Sequence, residues 1–336
     1  MSEIILGDCI EVMNQFPDNH FTGIVTDPPY GLKFMGKGWD YDVPQMSYWK
    51  EALRVSRPGS FLISMGGTRT FHRLACAIED AGWEIRDCIS WLYGSGFPKS
   101  HNHFGAEGFG TALKPAWEPC ILAMKPLDGT FKQNYEKWGV GGLNIDACRI
   151  PTQEKWKQYC QDIRSNGLMD KKGRLERLSE SSPKGRWPAN LLLDEEAAQQ
   201  LGMPSRFFYC AKTSSRERNE GLEGLPDKMM DVDGENRNQA GFNCGDRPPM
   251  LPRKNNHPTV KPLALMRYLI TLISPPTNAS ILDPFAGSGS TIVAAEQLGI
   301  KAIGIEKQAE YVEIARARLK YAAEKASKVA EQMSLF

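Results

Sequence analysis

Asp27-Pro28-Pro29-Tyr30 brings a carboxylate, two prolyl carbonyls and an aromatic ring into four residues, directly after the strand-like run Phe21-Thr22-Gly23-Ile24-Val25-Thr26. Neither proline donates to a ladder and each fixes φ, so the strand must stop there in a rigid, extended turn. The carboxylate accepts N–H groups, the Pro28 carbonyl stands beside it, and Tyr30 offers a flat face. Together these groups suit a planar amine. The competing reading is an ordinary strand terminus, because Asp and Pro are common turn residues.

A second chemical locus lies far downstream. Ser280-Ile281-Leu282 reads as a short buried strand, Asp283-Pro284-Phe285-Ala286-Gly287-Ser288-Gly289 as a glycine turn, and Ser290 to Leu298 as a helix. The next strand, Ala302-Ile303-Gly304-Ile305, ends at Glu306, where a carboxylate can accept two ribose hydroxyls. This arrangement also fits a nucleotide dehydrogenase, except that Ile292 stands where the dinucleotide-binding pattern has its third glycine.

Asp27-Pro28-Pro29-Tyr30 followed by Asp283-Pro284-Phe285-x-Gly287-x-Gly289 resembles the amino-DNA methyltransferases that use S-adenosylmethionine. The order, catalytic turn first and cofactor turn last, resembles their circularly permuted β group, of phage or bacterial type. The resemblance covers about 4–125 and 256–319. It implies an α/β, Rossmann-like sheet with helices on both faces and an inserted target-recognition region. It further implies methyl transfer to the exocyclic N6 of adenine in duplex DNA in a restriction–modification setting. Cytosine N4 is the close alternative, and an RNA methyltransferase or an idle nucleic-acid-binding module are the remaining ones.

The carry-over makes Asp27, Pro28, Pro29 and Tyr30 catalytic. Asp27 and the Pro28 carbonyl would accept the two N–H bonds of the amine, and Tyr30 would stack on a flipped base. Asp8, Cys9, Asp27, Thr259, Lys261, Asp283, Pro284, Phe285, Gly287, Ser288, Gly289 and Glu306 are its cofactor-binding candidates. Gly287 and Gly289 would let the backbone pass close to the ligand, with Phe285 as an apolar wall. Asp8 would reach the adenine ring of the cofactor, or else simply cap the helix that follows it. Thr259 and Lys261 would serve the amino-acid end of the cofactor, or else belong to helix initiation alone. None of the eight cysteines has the prolyl-cysteine setting of a carbon-5 cytosine methyltransferase, so no covalent adduct with the base is expected.

These loci require a sheet to position them. With 336 residues, 41% of them apolar, the chain can build a real core, and a formal charge of +1 confines any nucleic-acid surface to a local patch. The cysteines form no CxxC pair, the N-terminal residues do not read as a signal peptide, and no apolar run approaches the roughly 18 residues that span a bilayer. The expectation is a cytoplasmic protein with reduced thiols, no metal and no membrane role. Strand 4–6, helix 10–16, helix 45–55, strand 60–65, helix 69–81 and strand 83–93 alternate as an α/β sheet requires, and strand 118–125 is placed antiparallel to the last of them. A helix follows Pro262 with apolar positions Leu263, Met266, Leu269, Ile270 and Ile273, and Thr259 is expected to cap near its start.

Two stretches carry positive charge. The loop after the first turn, with Lys33 and Lys37 among glycines and aromatics, can close over an extruded base or lie as plain surface. Regular alternation then fades from Tyr93 to about Asn256, and residues 149–186 hold ten Lys/Arg against five acids, among them Lys171, Lys172 and Arg174. That excess of five suits DNA phosphates, with a solvated face as the rival reading. The expected organisation is a catalytic half (1–125), an inserted target-recognition region (126–255), a cofactor-binding half (256–320) and a C-terminal helix and tail (321–336). The final pentapeptide, with Gln332, Leu335 and Phe336, resembles the short motif by which bacterial replication and repair proteins dock on the sliding clamp. Double-stranded DNA and that clamp are the implied partners of a monomer or homodimer.

Overall fold

The computed structural model describes residues 2–32, 40–94, 96, 108–152, 184–211, 216–227, 254–257 and 259–333. In chain order the main elements are β1 (Glu3–Leu6), α1 (Cys9–Met13), β2 (Phe21–Thr26), α2 (Met46–Val55), β3 (Ser56–Met65), α3 (Phe71–Asp80), β4 (Glu84–Leu92) and β5 (Trp117–Met124). They continue with α4 (Phe131–Trp138), β6 (Leu191–Asp194), α5 (Glu195–Leu201), β7 (Tyr209–Ala211), α6 (Leu263–Ile273), β8 (Ser280–Asp283), α7 (Ser290–Gln297), β9 (Lys301–Glu306) and α8 (Ala309–Met333).

The strands form one sheet in the order β1-β9-β8-β2-β3-β5-β4-β6-β7. The first five positions are parallel, β5 is antiparallel to both neighbours, and β6 and β7 extend the far edge parallel to β4. This is the α/β architecture that the resemblance implies. Because successive side chains leave a strand on opposite faces, each central strand feeds two cores. Ile24 and Leu62 pack with Trp49, Leu74 and Ile78 beneath α1–α3, whereas Val25 and Ile63 pack with Leu265, Leu269 and Ile292 beneath α6–α8.

Several elements differ from expectation. β3 starts at Ser56 and carries Pro58 within it. Thr259 is exposed and does not cap α6, where Pro262 occupies the N-cap without a side-chain bond. Within 126–255, α4 packs on β3 while β6 and β7 join the central sheet, so part of this span belongs structurally to the same body. Lys33, Lys37, Lys171, Lys172, Arg174, Leu335 and Phe336 lie outside the described residues, and Gln332 falls in the last turn of α8. No helix among the described residues is long and apolar enough to cross a membrane, and no cluster of three His, Cys, Asp or Glu among them has metal-binding geometry.

The topology puts β2 beside β8, in register at Gly23–Ile281 and Ile24–Leu282. The carboxyl ends of both strands therefore open on the same side, where open α/β sheets bind ligands. The Thr26 hydroxyl donates to Asp283 Oδ1 at 2.6 Å, tying the two ends together across 257 residues of sequence.

Candidate active site

Asp27 is the first residue beyond β2, and three side chains close around it. The Tyr30 hydroxyl donates to Asp27 Oδ1 at 2.7 Å and lies 3.0 Å from Glu118 Oε2 on β5. Lys261 Nζ sits 2.9 Å from Asp27 Oδ2, 3.2 Å from Glu118 Oε2 and 3.1 Å from the Tyr30 oxygen, with the residue only 7% exposed. Its three ammonium hydrogens thus each have an acceptor. Burial works against the Lys261 charge, but the attraction of Asp27 and then Glu118 outweighs it, so the amine is held charged. Burial pushes the Asp27 carboxyl above its usual range while Lys261 pulls the other way, and burial followed by the charge of Asp27 keeps the Tyr30 hydroxyl protonated.

The turn after β2 is held from below. Asp40, 2% exposed, accepts the backbone N–H groups of Tyr30 (2.7 Å) and Gly31 (2.9 Å) on Oδ1 and that of Leu32 (3.2 Å) on Oδ2. The Tyr30 carbonyl accepts from the Thr70 hydroxyl at 2.6 Å.

The glycine turn is fastened just as tightly. Asp283 accepts from Thr26 and from the Phe285 N–H (3.1 Å), and burial pushes its carboxyl up to about 6. Glu306, at the end of β9, accepts from Gly287 N at 2.9 Å and Gln308 N at 2.7 Å. From α8 the guanidinium of Arg318, 2% exposed, donates to the Ser288 carbonyl at 2.6 Å and lies within reach of the Ser288 and Ser290 hydroxyls. Both glycines have left-handed φ, +52° and +80°. A Cβ at Gly287 would sit 2.7 Å from His257 Nε2, and one at Gly289 would sit 2.9 Å from the Ala315 Cβ. Packing against the chain's own residues, together with φ, therefore accounts for glycine at both positions.

Between the turns lies a cavity of about 960 Å³. It is lined by Asp8, Cys9, Asp27, Pro28, Pro29, Tyr30, Thr259, Lys261, Asp283, Pro284, Phe285, Gly287, Ser288 and Glu306, so it gathers every predicted catalytic and cofactor residue except Gly289, which packs on α8 instead. Asp8 caps α1 through the Ile10 N–H (3.0 Å) and pairs with Lys307 (3.2 Å), so the capping reading of that residue is realised while its side chain still borders the cavity. Burial, then the charge of Asp8, raises the Cys9 thiol to about 12, which leaves it without thiolate character. Lys261 lies against Asp27 in the cluster at the end of β2, a contact between residues far apart in sequence.

Four further residues of the site escaped sequence reading. Glu118, Asp40 and Arg318 act through long-range contacts that leave no local pattern. His257, whose ring packs edge-on to Tyr311 and accepts the Thr259 N–H on Nδ1, is driven down to about 3, chiefly by burial.

Residues 21–317 match the DNA methylase family N6_N4_Mtase. A 63-residue stretch is 51% identical to the Type II methyltransferase M2.LlaDCHI of Lactococcus lactis subsp. cremoris, and one of the same length and identity matches M2.DpnII of Streptococcus pneumoniae. Each match spans 19% of this chain and 23% of the relative, so the chain matches less than a quarter of the length of these curated relatives. Among solved structures, PvuII DNA methyltransferase (cytosine-N4-specific) is similar over 94% of this chain and 86% of that one, with a TM-score of 0.52 and 16% identity, a likeness of fold. With two proline-bearing turns on one cavity and a family match that runs through both, the chain belongs to the N6/N4 DNA methylase family.

Proposed function

We propose that the protein transfers a methyl group from S-adenosylmethionine to the exocyclic N6 of adenine in duplex DNA, as a permuted β-group enzyme of bacterial or phage restriction–modification type. The observation that carries this reading is the Asp27 carboxylate at the end of β2, facing a cavity shared with the glycine turn after β8.

The residues present fit the cofactor. The cavity lies at the upper end of the roughly 300–1,000 Å³ typical of small-molecule sites, which leaves room for a nucleoside and a base together. Carboxylates stand at the ends of β1 and β9, in Asp8 and Glu306, where an adenine amine and ribose hydroxyls need acceptors. Phe285, beside Tyr48 and Trp49, supplies an apolar wall. The glycine turn carries no lysine of the kind that cradles a phosphate, consistent with a ligand that has none. When bound, the cofactor supplies an electrophilic methyl group.

The remaining work belongs to the chain. An aryl amine is a poor nucleophile because its lone pair is delocalised into the ring. Asp27 and the Pro28 carbonyl accept its two N–H bonds, which favours a pyramidal nitrogen and aims the lone pair. The proton is released after or late in the transfer, to the Asp27 carboxylate. Tyr30 presents its ring to a base that has left the duplex, since the reacting atoms cannot meet within the stack. For DNA, the basic span 149–186 is the proposed recognition surface, with Lys171, Lys172 and Arg174 on phosphates and Lys33 and Lys37 beside the flipped base. The ends of that span pair with each other at Ile150 and Arg186, and Arg149 stacks over Trp187 at 5.2 Å, which supports a rooted insertion. Region 126–255 is read as target recognition, and Gln332, Leu335 and Phe336 as a clamp-docking tail.

The test is expression in a host lacking DNA methylation, followed by genomic sequencing with modification detection. N6-methyladenine at one recurring motif is expected. N4-methylcytosine would replace adenine by the alternative base, and unmodified DNA together with an inactive purified protein would overturn the reading.

A further inference from the structure

Both oxygens of Asp27 already hold a partner, which fixes the direction in which the carboxylate faces. Oδ1 takes the Tyr30 hydroxyl and Oδ2 takes Lys261, yet methyl transfer to an amine needs one of these oxygens as an acceptor. A buried lysine facing a single carboxylate would claim it strongly. Here a second carboxylate intervenes: Glu118 Oε2 lies 3.2 Å from Lys261 Nζ and 3.0 Å from the Tyr30 oxygen, so it touches both groups that hold Asp27. The tyrosine has one hydroxyl hydrogen for two acceptors and the ammonium has three hydrogens for three. The cluster therefore sets two carboxyl groups, Asp27 and Glu118, against the one lysine and the one hydroxyl hydrogen of Tyr30.

We propose that Glu118 is a positioning residue for methyl transfer, which shares Lys261 and Tyr30 with Asp27 and so leaves the Asp27 carboxylate able to turn an oxygen toward the substrate amine. This rests on the methyltransferase reading above. When the amine arrives, the Tyr30 hydrogen can pass from Asp27 Oδ1 to Glu118 Oε2 by rotation about its C–O bond, with no bond broken. Lys261 keeps its acceptor on Glu118 while Asp27 engages substrate. With a neutral residue at 118 the ammonium has one charged partner only, and Asp27 is held against it.

The other titratable groups near Asp27 are Asp283 on β8, which is close enough to feel its charge, and Tyr93 just beyond β4 and Cys120 on β5, which feel the charge of Glu118. Burial keeps the Tyr93 hydroxyl and the Cys120 thiol neutral, so Lys261 is the one positive charge against Asp27 among the described residues. This gives the test its signature. Removing the Glu118 charge should lower the Asp27 pKa, and removing the Lys261 charge should raise it.

The experiment compares wild type, Glu118→Gln, Glu118→Asp and Lys261→Met. In Glu118→Gln, kcat is expected to fall roughly tenfold with the cofactor dissociation constant unchanged, while the acid limb of the kcat profile moves to lower pH. Lys261→Met moves the limb to higher pH, and Glu118→Asp recovers at least half of the lost rate. Carboxyl-carbon NMR of aspartate-labelled protein without substrate should give the same opposed displacements of Asp27, independent of turnover. Limbs that do not move, or that move in the same direction in both variants, would overturn the assignment. A wild type that binds cofactor but methylates no DNA would instead sink the methyltransferase reading, leaving the NMR displacements to judge the role of Glu118.

Discussion

Replacing Asp40 should loosen the catalytic turn without touching any group that meets substrate. Its carboxylate takes three backbone N–H groups in succession, two on Oδ1 and the longest, from Leu32, on Oδ2, at a residue 2% exposed. A hydrogen bond to a charged group contributes about 1.5–3 kcal/mol, and donors left buried lose their solvation as well. Water entering from the cavity side recovers part of this, so Asp40→Ala is expected to lower the unfolding free energy by about 3 kcal/mol. Asp40→Asn keeps the oxygen that serves Tyr30 and Gly31 and loses the charge and the Leu32 bond, so it should cost about 1 kcal/mol. Urea titration monitored by far-ultraviolet circular dichroism measures both. Methyl transfer should fall by about ten- to a hundredfold in the alanine variant while cofactor affinity changes little, because misplacement of a positioning turn acts on the reacting geometry. An alanine variant within about 0.5 kcal/mol of wild type, or an asparagine variant as unstable as the alanine one, would refute the reasoning.

Other outcomes follow from the same contacts. Asp27→Ala should retain cofactor and DNA binding while methyl transfer drops at least about a hundredfold, and near-normal turnover in a radiolabelled-methyl assay would remove Asp27 from the mechanism. His257, with a folded pKa near 3 against 6.5 when unfolded, refuses a proton that the unfolded chain accepts, so stability is lost as pH falls through that window by up to about 1.4 kcal/mol per unit. Asp283, raised to about 6, opposes this between roughly pH 4 and 6, and His257→Gln should make the loss of stability with falling pH shallower in acid titrations followed by urea unfolding. Neutralising Lys171, Lys172 and Arg174 together should weaken DNA binding and flatten its dependence on salt at constant cofactor affinity, and an unchanged slope places recognition elsewhere. Removing Leu335 and Phe336 should abolish binding to a purified sliding clamp in titration, and equal binding by both forms ends the docking idea.

Much of this was legible because parallel strands write themselves as short apolar runs closed by turn residues. Ile24-Val25 and Ile281-Leu282 are such runs, and the prolines and glycines that follow mark where the backbone must leave the sheet. The same rule applied to Leu191-Leu192-Leu193-Asp194 would have found β6, but glycine-rich and charged surroundings masked it. Likewise Thr130 and Gln133 form a complete capping box and Gly139 ends the helix in a left-handed conformation, so α4 carried its signals locally and was still passed over. The contacts of Glu118, Asp40 and Arg318 were not legible at all. Each is a single charged residue in an unremarkable local context, and its partners are chosen by which strands and helices become neighbours. At Gly289 the residue type suits the turn, and the contact that a side chain there would meet is Ala315 on α8, which no local pattern announces.

The hydrogen bond between Thr26 and Asp283 also has a timing. The two residues are separated by 257 positions, so at about 5–20 residues per second the ribosome adds the second roughly 13–50 s after the first. Throughout that interval β2 lacks the strand that will cover one of its edges, and Val25 lacks the α6 and α7 side chains that bury it. The nascent chain therefore presents an open parallel edge and a bare apolar face for most of its synthesis, a state that invites chaperone capture or mispairing with another chain. The cavity between the two turns has to wait for the last quarter of translation, and a message broken before β8 would yield a product with the turn after β2 complete and nothing for it to face.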